Sequence, residues 1–135
     1  MRATATVVGC LVAAALSIFM VAPAPAYDVP KEMTRYWVAV LVRGPAWTAT
    51  DSPELQAIVR GHLAYIRTMI EERKYLLAGP FLDGGVRQGM AILAARSEEE
   101  ARRLVGGDPA VVAGRLAVEL HPAMLPSLAT LQVRY

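Results

Sequence analysis

A histidine lies midway along an apolar helical stripe in the first half of the chain. The residues that recur at steps of three and four between Pro53 and Arg73 are Leu55, Ile58, Val59, His62, Ile66, Met69 and Ile70. This spacing predicts one face of a helix, which directs the imidazole of His62 toward either the core or a pocket. Imidazole is the side chain best suited to proton transfer near neutral pH. His62 is therefore our first catalytic candidate, and the alternative is a histidine that only fills the core.

Two proline motifs supply further candidates. Asp108 precedes Pro109, a combination typical of a helix start, in which the carboxylate caps the helix and the proline occupies its first turn. A cap of this kind can be purely structural. Gly79-Pro80 closes a predicted strand as a turn signal, and a glycine there would also let a ligand approach the backbone closely.

The composition excludes several classes of active site. The only cysteine, Cys10, lies in the N-terminal apolar segment, so the rest of the chain has no thiolate nucleophile, disulfide or zinc–cysteine site. No Gly-x-Ser-x-Gly motif is present. The two histidines, His62 and His121, are far apart in sequence, and Gly-rich phosphate motifs are absent, so we predict no metal and no cofactor. An enzyme built from this chain would abstract a proton or eliminate a group from a small aromatic or enolisable ligand.

The first 26 residues have the pattern of an export signal. Arg2 provides a positive start, an apolar run extends from Val7 to Val21, and Ala24-Pro25-Ala26 places small residues at a cleavage site. We predict cleavage after Ala26, a periplasmic or secreted location, and no stable membrane span after cleavage. The alternative is an uncleaved N-terminal anchor that tethers the protein to the membrane.

The chain after Ala26 has the length of one domain and is nearly neutral. It carries 13 lysines and arginines against 12 acidic residues, without a basic block, so we predict no nucleic-acid partner. We assign residues 27–34 to a linker, 35–122 to the domain and 123–135 to a C-terminal extension that covers a surface or an edge.

Alternation and capping signals predict four strands and two main helices. The strands are expected at 36–42, 75–78, 89–94 and 116–120, and the helices at 53–73 and 97–106, with a short helical turn at 110–113. His121-Pro122 is expected to end the last strand. The order β-α-β-β-α-β predicts an α+β fold of the ferredoxin-like type, with an antiparallel sheet and both helices on one face.

Neither face of the predicted sheet is polar. In the first strand, one face carries Tyr36, Val38, Val40 and Val42, and the other carries Trp37, Ala39 and Leu41. Exposure of several large side chains would cost several kcal/mol at about 25 cal/mol per Å2. Because helices cover only one face, we expect a second copy of the chain to cover the other and form a homodimer. The alternative is that the C-terminal extension covers this face.

The order and spacing of these motifs resemble YCII-related (YciI-like) domains over Tyr36 to Pro122. The resemblance rests on the first strand, the helix with a histidine midway, Ala78-Gly79-Pro80 and Gly107-Asp108-Pro109. It implies a dimeric α+β barrel with two sheets packed face to face. It also implies a pocket whose polar pair is His62 and Asp108, with Gly79, Pro80 and Pro109 as ligand-binding residues.

Barrels related to this family include muconolactone-isomerase-like enzymes and a dehydrochlorinase acting on a chlorinated hydroquinone. The sequence departs from the family in its export signal and at Ala110, where the family often has an aromatic residue.

A histidine–aspartate pair has a clear chemical use. A carboxylate that accepts a hydrogen bond from one ring nitrogen fixes the tautomer and leaves the other nitrogen free as a base. We therefore predict an exported YCII-like enzyme of the isomerase or lyase type, in which His62 transfers a proton and Asp108 orients it. The alternative is a non-catalytic homodimeric module that binds a small ligand or a protein partner.

Overall fold

The computed structural model describes residues 32–134, and the predicted signal peptide lies outside this range. Seven elements follow one another: β1 (Met33–Arg43), α1 (Pro53–Glu71), β2 (Tyr75–Pro80), β3 (Arg87–Leu93), α2 (Glu98–Gly106), α3 (Pro109–Val112) and β4 (Leu116–Pro126). The first strand begins two residues before the domain boundary expected at residue 35, so the end of the expected linker belongs to the sheet.

The four strands form one sheet in the order β2-β3-β1-β4, in which every neighbouring pair is antiparallel. The predicted ferredoxin-like α+β fold is confirmed, and the two central strands are β1 and β3. Within the described chain, no helix has the length and hydropathy needed to cross a membrane.

Serine caps set the start of both main helices. The hydroxyl oxygen of Ser52 accepts a hydrogen bond from Leu55 N at 3.1 Å, and that of Ser97 accepts one from Glu100 N at 3.1 Å. Each serine satisfies a backbone N–H that has no partner within the helix. In the second case the Glu100 carboxylate also accepts from Arg96 N at 2.9 Å, which reinforces the start of α2.

The expectation that His121-Pro122 ends the last strand is wrong. β4 continues to Pro126, and its pairing with β1 includes Trp37 opposite Pro122 and Met33 opposite Pro126. Because β4 is an edge strand, a proline can lie in it with its nitrogen on the unpaired side. The two prolines are four residues apart and so direct their nitrogens to the same side, and the ladder continues across both.

The hydrophobic core lies between the sheet and the helices. Leu93 is 0% exposed and Ala39 1% exposed on the helix-covered face of the sheet. They pack in one cluster with Ile66, Met69 and Ile70 from the C-terminal half of α1. This half of the helix therefore closes the core.

The opposite face of the sheet, which we call the outer face, is also apolar. Register places Val38 opposite Ile92 and Val40 opposite Met90 on this face. Ile92 is buried, whereas Val38, Val40 and Met90 are only half-buried. The centre of the outer face therefore remains accessible in a single chain.

The chain beyond β4 is fixed at two points. Leu128 N donates to the Tyr36 hydroxyl at 2.8 Å, and the guanidinium of Arg73 donates to the carbonyl oxygens of Ala129 at 2.8 Å and Leu131 at 3.4 Å. Arg73 follows α1 in the left-handed conformation, with φ of 55°, which ends the helix. These contacts place the segment against the C-terminal end of α1 and against Tyr36, which shares the outer face with Val38 and Val40 and is 7% exposed.

Candidate active site

The first helix and the short helix α3 meet through a glycine and a proline. A Cβ atom at Gly61 would lie 3.3 Å from both Cβ and Cγ of Pro109. This spacing leaves little room for a side chain, so the glycine allows the two backbones to approach. A glycine inside a helix costs about 1 kcal/mol relative to alanine, and here the close approach compensates for it. The contact brings the residues next to each, His62 and Asp108, to the same place.

The two predicted catalytic residues form a direct pair. Nδ1 of His62 lies 2.6 Å from Oδ2 of Asp108, across 46 residues of sequence. The side chain of His62 is 17% exposed and that of Asp108 is 3% exposed. An ionised carboxylate can only accept a hydrogen bond, so Nδ1 of a neutral ring carries the proton and Nε2 is left as the acceptor. This is the arrangement required of an oriented base.

The carboxylate of Asp108 has two tasks that the sequence presented as alternatives. Its Oδ1 accepts from Ala110 N at 2.9 Å and caps α3, while its Oδ2 pairs with the histidine. The cap fixes the rotation of the carboxylate, which in turn fixes the direction in which Oδ2 meets the ring. Asp108 therefore caps α3 and contacts His62 at the same time, and its catalytic role stays a prediction.

His62 also lines a cavity of about 120 Å3 between α1 and the sheet. The other lining residues are mostly apolar or lack a polar side chain: Leu41, Leu63, Ile66, Gly79, Pro80, Gln88, Gly89, Met90 and Leu116. His62 is the only titratable side chain among these described lining residues. An engineered apolar cavity of about 150 Å3 can hold benzene, so this space suits a ligand of about one ring.

The cavity exists because the strands opposite α1 carry little side-chain volume there. Gly89 pairs with Leu41 on one side and Pro80 on the other, on the helix-covered face. A Cβ atom at Gly89 would lie 2.7 Å from the carbonyl oxygen of Gly79, closer than real Cβ contacts. The glycine is thus required by the close approach of β2 to β3, and it leaves space beneath His62.

One turn after His62, a tyrosine connects α1 to the end of α2. The hydroxyl of Tyr65 donates to the carbonyl oxygen of Leu104 at 2.6 Å, and its ring packs edge-to-face on Tyr75 with centroids 6.4 Å apart. Burial and, to a lesser extent, the charge of Asp108 raise the pKa of Tyr65 above its ordinary value. The phenol therefore stays protonated and remains a donor at neutral pH.

Four of the five predicted site residues lie at the cavity or contact a residue that lines it. His62 and Asp108 pair, and Gly79 and Pro80 line the cavity beside His62. Pro109, expected to bind ligand, does not line this cavity and instead packs against Gly61. Its position makes it a spacer between the two helices.

Sequence reasoning missed three residues that shape the site. Gly61 was detectable in principle, because a glycine inside an apolar helical pattern usually has a packing reason. Gly89 and Tyr65 gave no such signal, since their roles depend on contacts across the fold with Gly79 and Leu104. No group of three or more metal-ligating side chains occurs within residues 32–134.

Most of the described chain matches a known domain family. The family model for the YCII-related domain matches residues 36–121, which is more than half of the chain. The chain belongs to the YCII-related domain family. The resemblance noted from the motifs is thereby confirmed. The YCII match runs from within β1 to the middle of β4 and includes His62 and Asp108.

No curated protein matches the chain. Among solved structures, it is similar to 5-chloro-2-hydroxyhydroquinone dehydrochlorinase from Burkholderia phenoliruptrix AC1100, in complex with 2,5-dihydroxybenzoquinone. The identity is 23%, the TM-score is 0.46, and the match covers 64% of this chain and 90% of the other.

Proposed function

We propose that this YCII domain is a small-molecule enzyme of the isomerase or lyase type in which His62 moves a proton. The observation that supports it is the 2.6 Å contact of His62 Nδ1 with Asp108 Oδ2, made by a histidine that lines a ring-sized cavity. In the proposed step, Nε2 takes a proton from a carbon next to a carbonyl group. The C–H bond breaks, an N–H bond forms, and the electron pair moves onto the substrate oxygen.

Asp108 has the role of holding the ring in place. Its carboxylate keeps the proton on Nδ1 and stabilises the imidazolium that forms when Nε2 is protonated. The apolar walls exclude water from the reacting atoms and so strengthen this charge interaction. A small aromatic or enolisable ligand fits both the volume and the single titratable group of the cavity.

Hydrogen–deuterium exchange tests this proposal without knowledge of the natural substrate. We expect the protein to accelerate deuterium incorporation next to the carbonyl of cyclohexanone or 2-cyclohexenone in D2O, observed by NMR. His62→Gln should abolish the acceleration, and His121→Gln, which removes the other histidine on an exposed part of β4, should retain it. Equal rates for the two variants would contradict the proposal.

Asp108→Asn gives a second reading of the same mechanism. The amide can donate to Nδ1 and so favours the tautomer with its proton on Nε2, which removes the base from the cavity. In serine proteases the corresponding change lowers kcat by about 10⁴-fold. We expect a loss of exchange activity in the same direction, and unchanged activity in this variant would exclude Asp108 from the mechanism.

A non-catalytic ligand-binding or interaction module is the second candidate. It is favoured by the presence of only one titratable side chain among the described residues of the cavity. Thermal-shift measurements with small phenols and cyclic ketones separate the two candidates. Stabilisation by a compound that is never exchanged or converted favours binding, whereas conversion favours catalysis.

We also propose that two copies pack through their outer faces into a dimeric α+β barrel. The support is the apolar outer face, where Val38, Val40 and Met90 remain half-buried in a single chain. Val40→Glu places a charge at its centre and should dissociate the dimer in sedimentation experiments. Val112→Glu is the control, because Val112 is 73% exposed on α3. A native protein that sediments as one chain would contradict this assembly.

Export is the last part of the proposal. The pattern of residues 1–26 favours cleavage after Ala26 and a periplasmic or secreted protein. Mass spectrometry of the protein isolated from its own cells should show a chain that begins at Tyr27. A chain that retains Arg2 and co-sediments with membranes would instead favour the tethered alternative.

A further inference from the structure

Three neighbouring contacts join α1 to the segment around Asp108. Gly61 packs on Pro109, His62 pairs with Asp108, and Tyr65 packs on Gly107, where a Cβ atom would lie 2.6 Å from the tyrosine hydroxyl oxygen. The residues on α1 and those on the α2–α3 segment run in opposite order. The histidine–aspartate pair is therefore enclosed by one contact on each side.

The contact on the Tyr65 side is the one with directional chemistry. The tyrosine hydroxyl donates to the carbonyl oxygen of Leu104 at 2.6 Å, near the C-terminal end of α2. Asp108 N in turn donates to the carbonyl oxygen of Val105 at 3.2 Å. The phenol therefore binds the last turn of α2, and the backbone N–H of Asp108 is hydrogen-bonded to the same turn.

We infer that Tyr65 is a positioning residue that sets the distance between His62 and Asp108. Tyr65 lies on α1 one turn after His62, and its hydroxyl holds the C-terminal end of α2 against α1. The glycine before Asp108 is the complementary part, because any side chain at Gly107 would displace the phenol. The inference rests on the proposed function of the His62–Asp108 pair, although its test requires neither substrate nor turnover.

The chain contains a matched control in Tyr75. Its hydroxyl reaches the same carbonyl oxygen of Leu104, at 3.4 Å, and its ring packs on that of Tyr65. Tyr75 lies on β2 rather than on α1, so its hydroxyl links α2 to the sheet and not to the histidine helix. Removal of each hydroxyl in turn distinguishes positioning from general packing in this cluster.

The experiment is NMR of the imidazole nitrogens and of the Nδ1 proton of His62 in the full-length mature protein. His121→Gln assigns the signals of the two histidines. Tyr65→Phe should accelerate exchange of the Nδ1 proton with water about two- to tenfold, since a hydrogen bond of ordinary strength is lost. It should also move the ¹⁵N shifts toward a mixture of tautomers. Tyr75→Phe should leave both signals unchanged.

A folded Tyr65→Phe protein with native His62 signals would overturn the inference, as would equal changes in the two phenylalanine variants. If Tyr65→Phe does not fold, Gly107→Ala decides, because its methyl group displaces the phenol while keeping the hydroxyl. Native His62 signals in Gly107→Ala would again overturn the inference. Altered His62 signals in Tyr65→Phe, together with an unchanged rate of deuterium incorporation into cyclohexanone, would support the positioning role of Tyr65 and contradict the proposed function of His62.

Discussion

The two halves of α1 carry one continuous apolar stripe but have opposite surroundings. In the C-terminal half, Ile66, Met69 and Ile70 are all below one-tenth exposed and lie over Ala91 and Leu93 of the sheet. In the N-terminal half, Leu55 and Ile58 are only partly buried and Val59 is 38% exposed. His62 borders a cavity over Gly89. The difference comes from the strands, which present side chains to one half and glycine to the other. An identical sequence pattern therefore closes a core in one place and opens a site in another.

The largest effect should follow truncation in the closed half. Met69→Ala removes a 7% exposed side chain from the core, and comparable substitutions cost about 2–5 kcal/mol. Leu55→Ala in the open half should cost less than about 1 kcal/mol, because Leu55 is only half-buried. Urea denaturation of both variants measures the contrast. Equal losses of unfolding free energy would show that the two halves are packed alike.

Much of this architecture could be predicted from the sequence, because strands and helices follow from local alternation and capping. The His62 stripe and the ferredoxin-like order of helices and strands could both be predicted. The partition of the stripe into closed and open halves was not readable, since it depends on which strand residues lie opposite.

Some details were decided by contacts between distant parts of the chain. The prediction that His62 pairs with Asp108 came from the family resemblance. Sequence spacing could not supply it, because 46 residues separate the two. The continuation of β4 through Pro122 was missed because the position of a strand at a sheet edge is a property of the whole fold.

The second prediction concerns the glycines opposite the open half. Gly89→Ala should destabilise the protein by about 1–3 kcal/mol, because the new methyl group lies 2.7 Å from the Gly79 carbonyl oxygen. It should also reduce binding of any cavity ligand. Gly79→Ala is the control, since a Cβ atom there meets nothing within 4 Å, and its stability should be native. Thermal denaturation of the two variants provides the comparison, and equal melting temperatures would contradict the close approach of β2 to β3.

The third prediction is a change of stability at alkaline pH that originates in Tyr75, a residue of β2 in the core cluster that the closed half of α1 covers. Burial is the main cause that raises the pKa of Tyr75 well above its ordinary value of 10.0. The unfolded chain therefore loses this proton first, so the stabilisation is complete below pH 10 and declines above it. The decline is at most about 1.4 kcal/mol per pH unit. Urea denaturation at several pH values from 9 to 11 gives the unfolding free energy as a function of pH. This free energy should fall less steeply with pH in Tyr75→Phe than in the native protein. An equal fall in both would mean that Tyr75 is not buried.

The smallest effect should be on the stability of a His62 variant. His62→Gln should change the unfolding free energy by about 1 kcal/mol or less, because glutamine can still donate to the buried Asp108 carboxylate and one side of the histidine faces a cavity. Chemical denaturation at pH 7 measures this change. A loss comparable with that of Met69→Ala would place His62 in the core and remove the contrast within α1.

The two prolines of β4 restrict how copies of this protein can associate. Pro122 and Pro126 leave the free margin of the sheet without amide donors at two positions where an incoming strand would need them. Growth of a continuous intermolecular sheet along that margin is therefore disfavoured. The same two prolines limit fibril formation by a protein with so many β-branched and apolar residues in its strands.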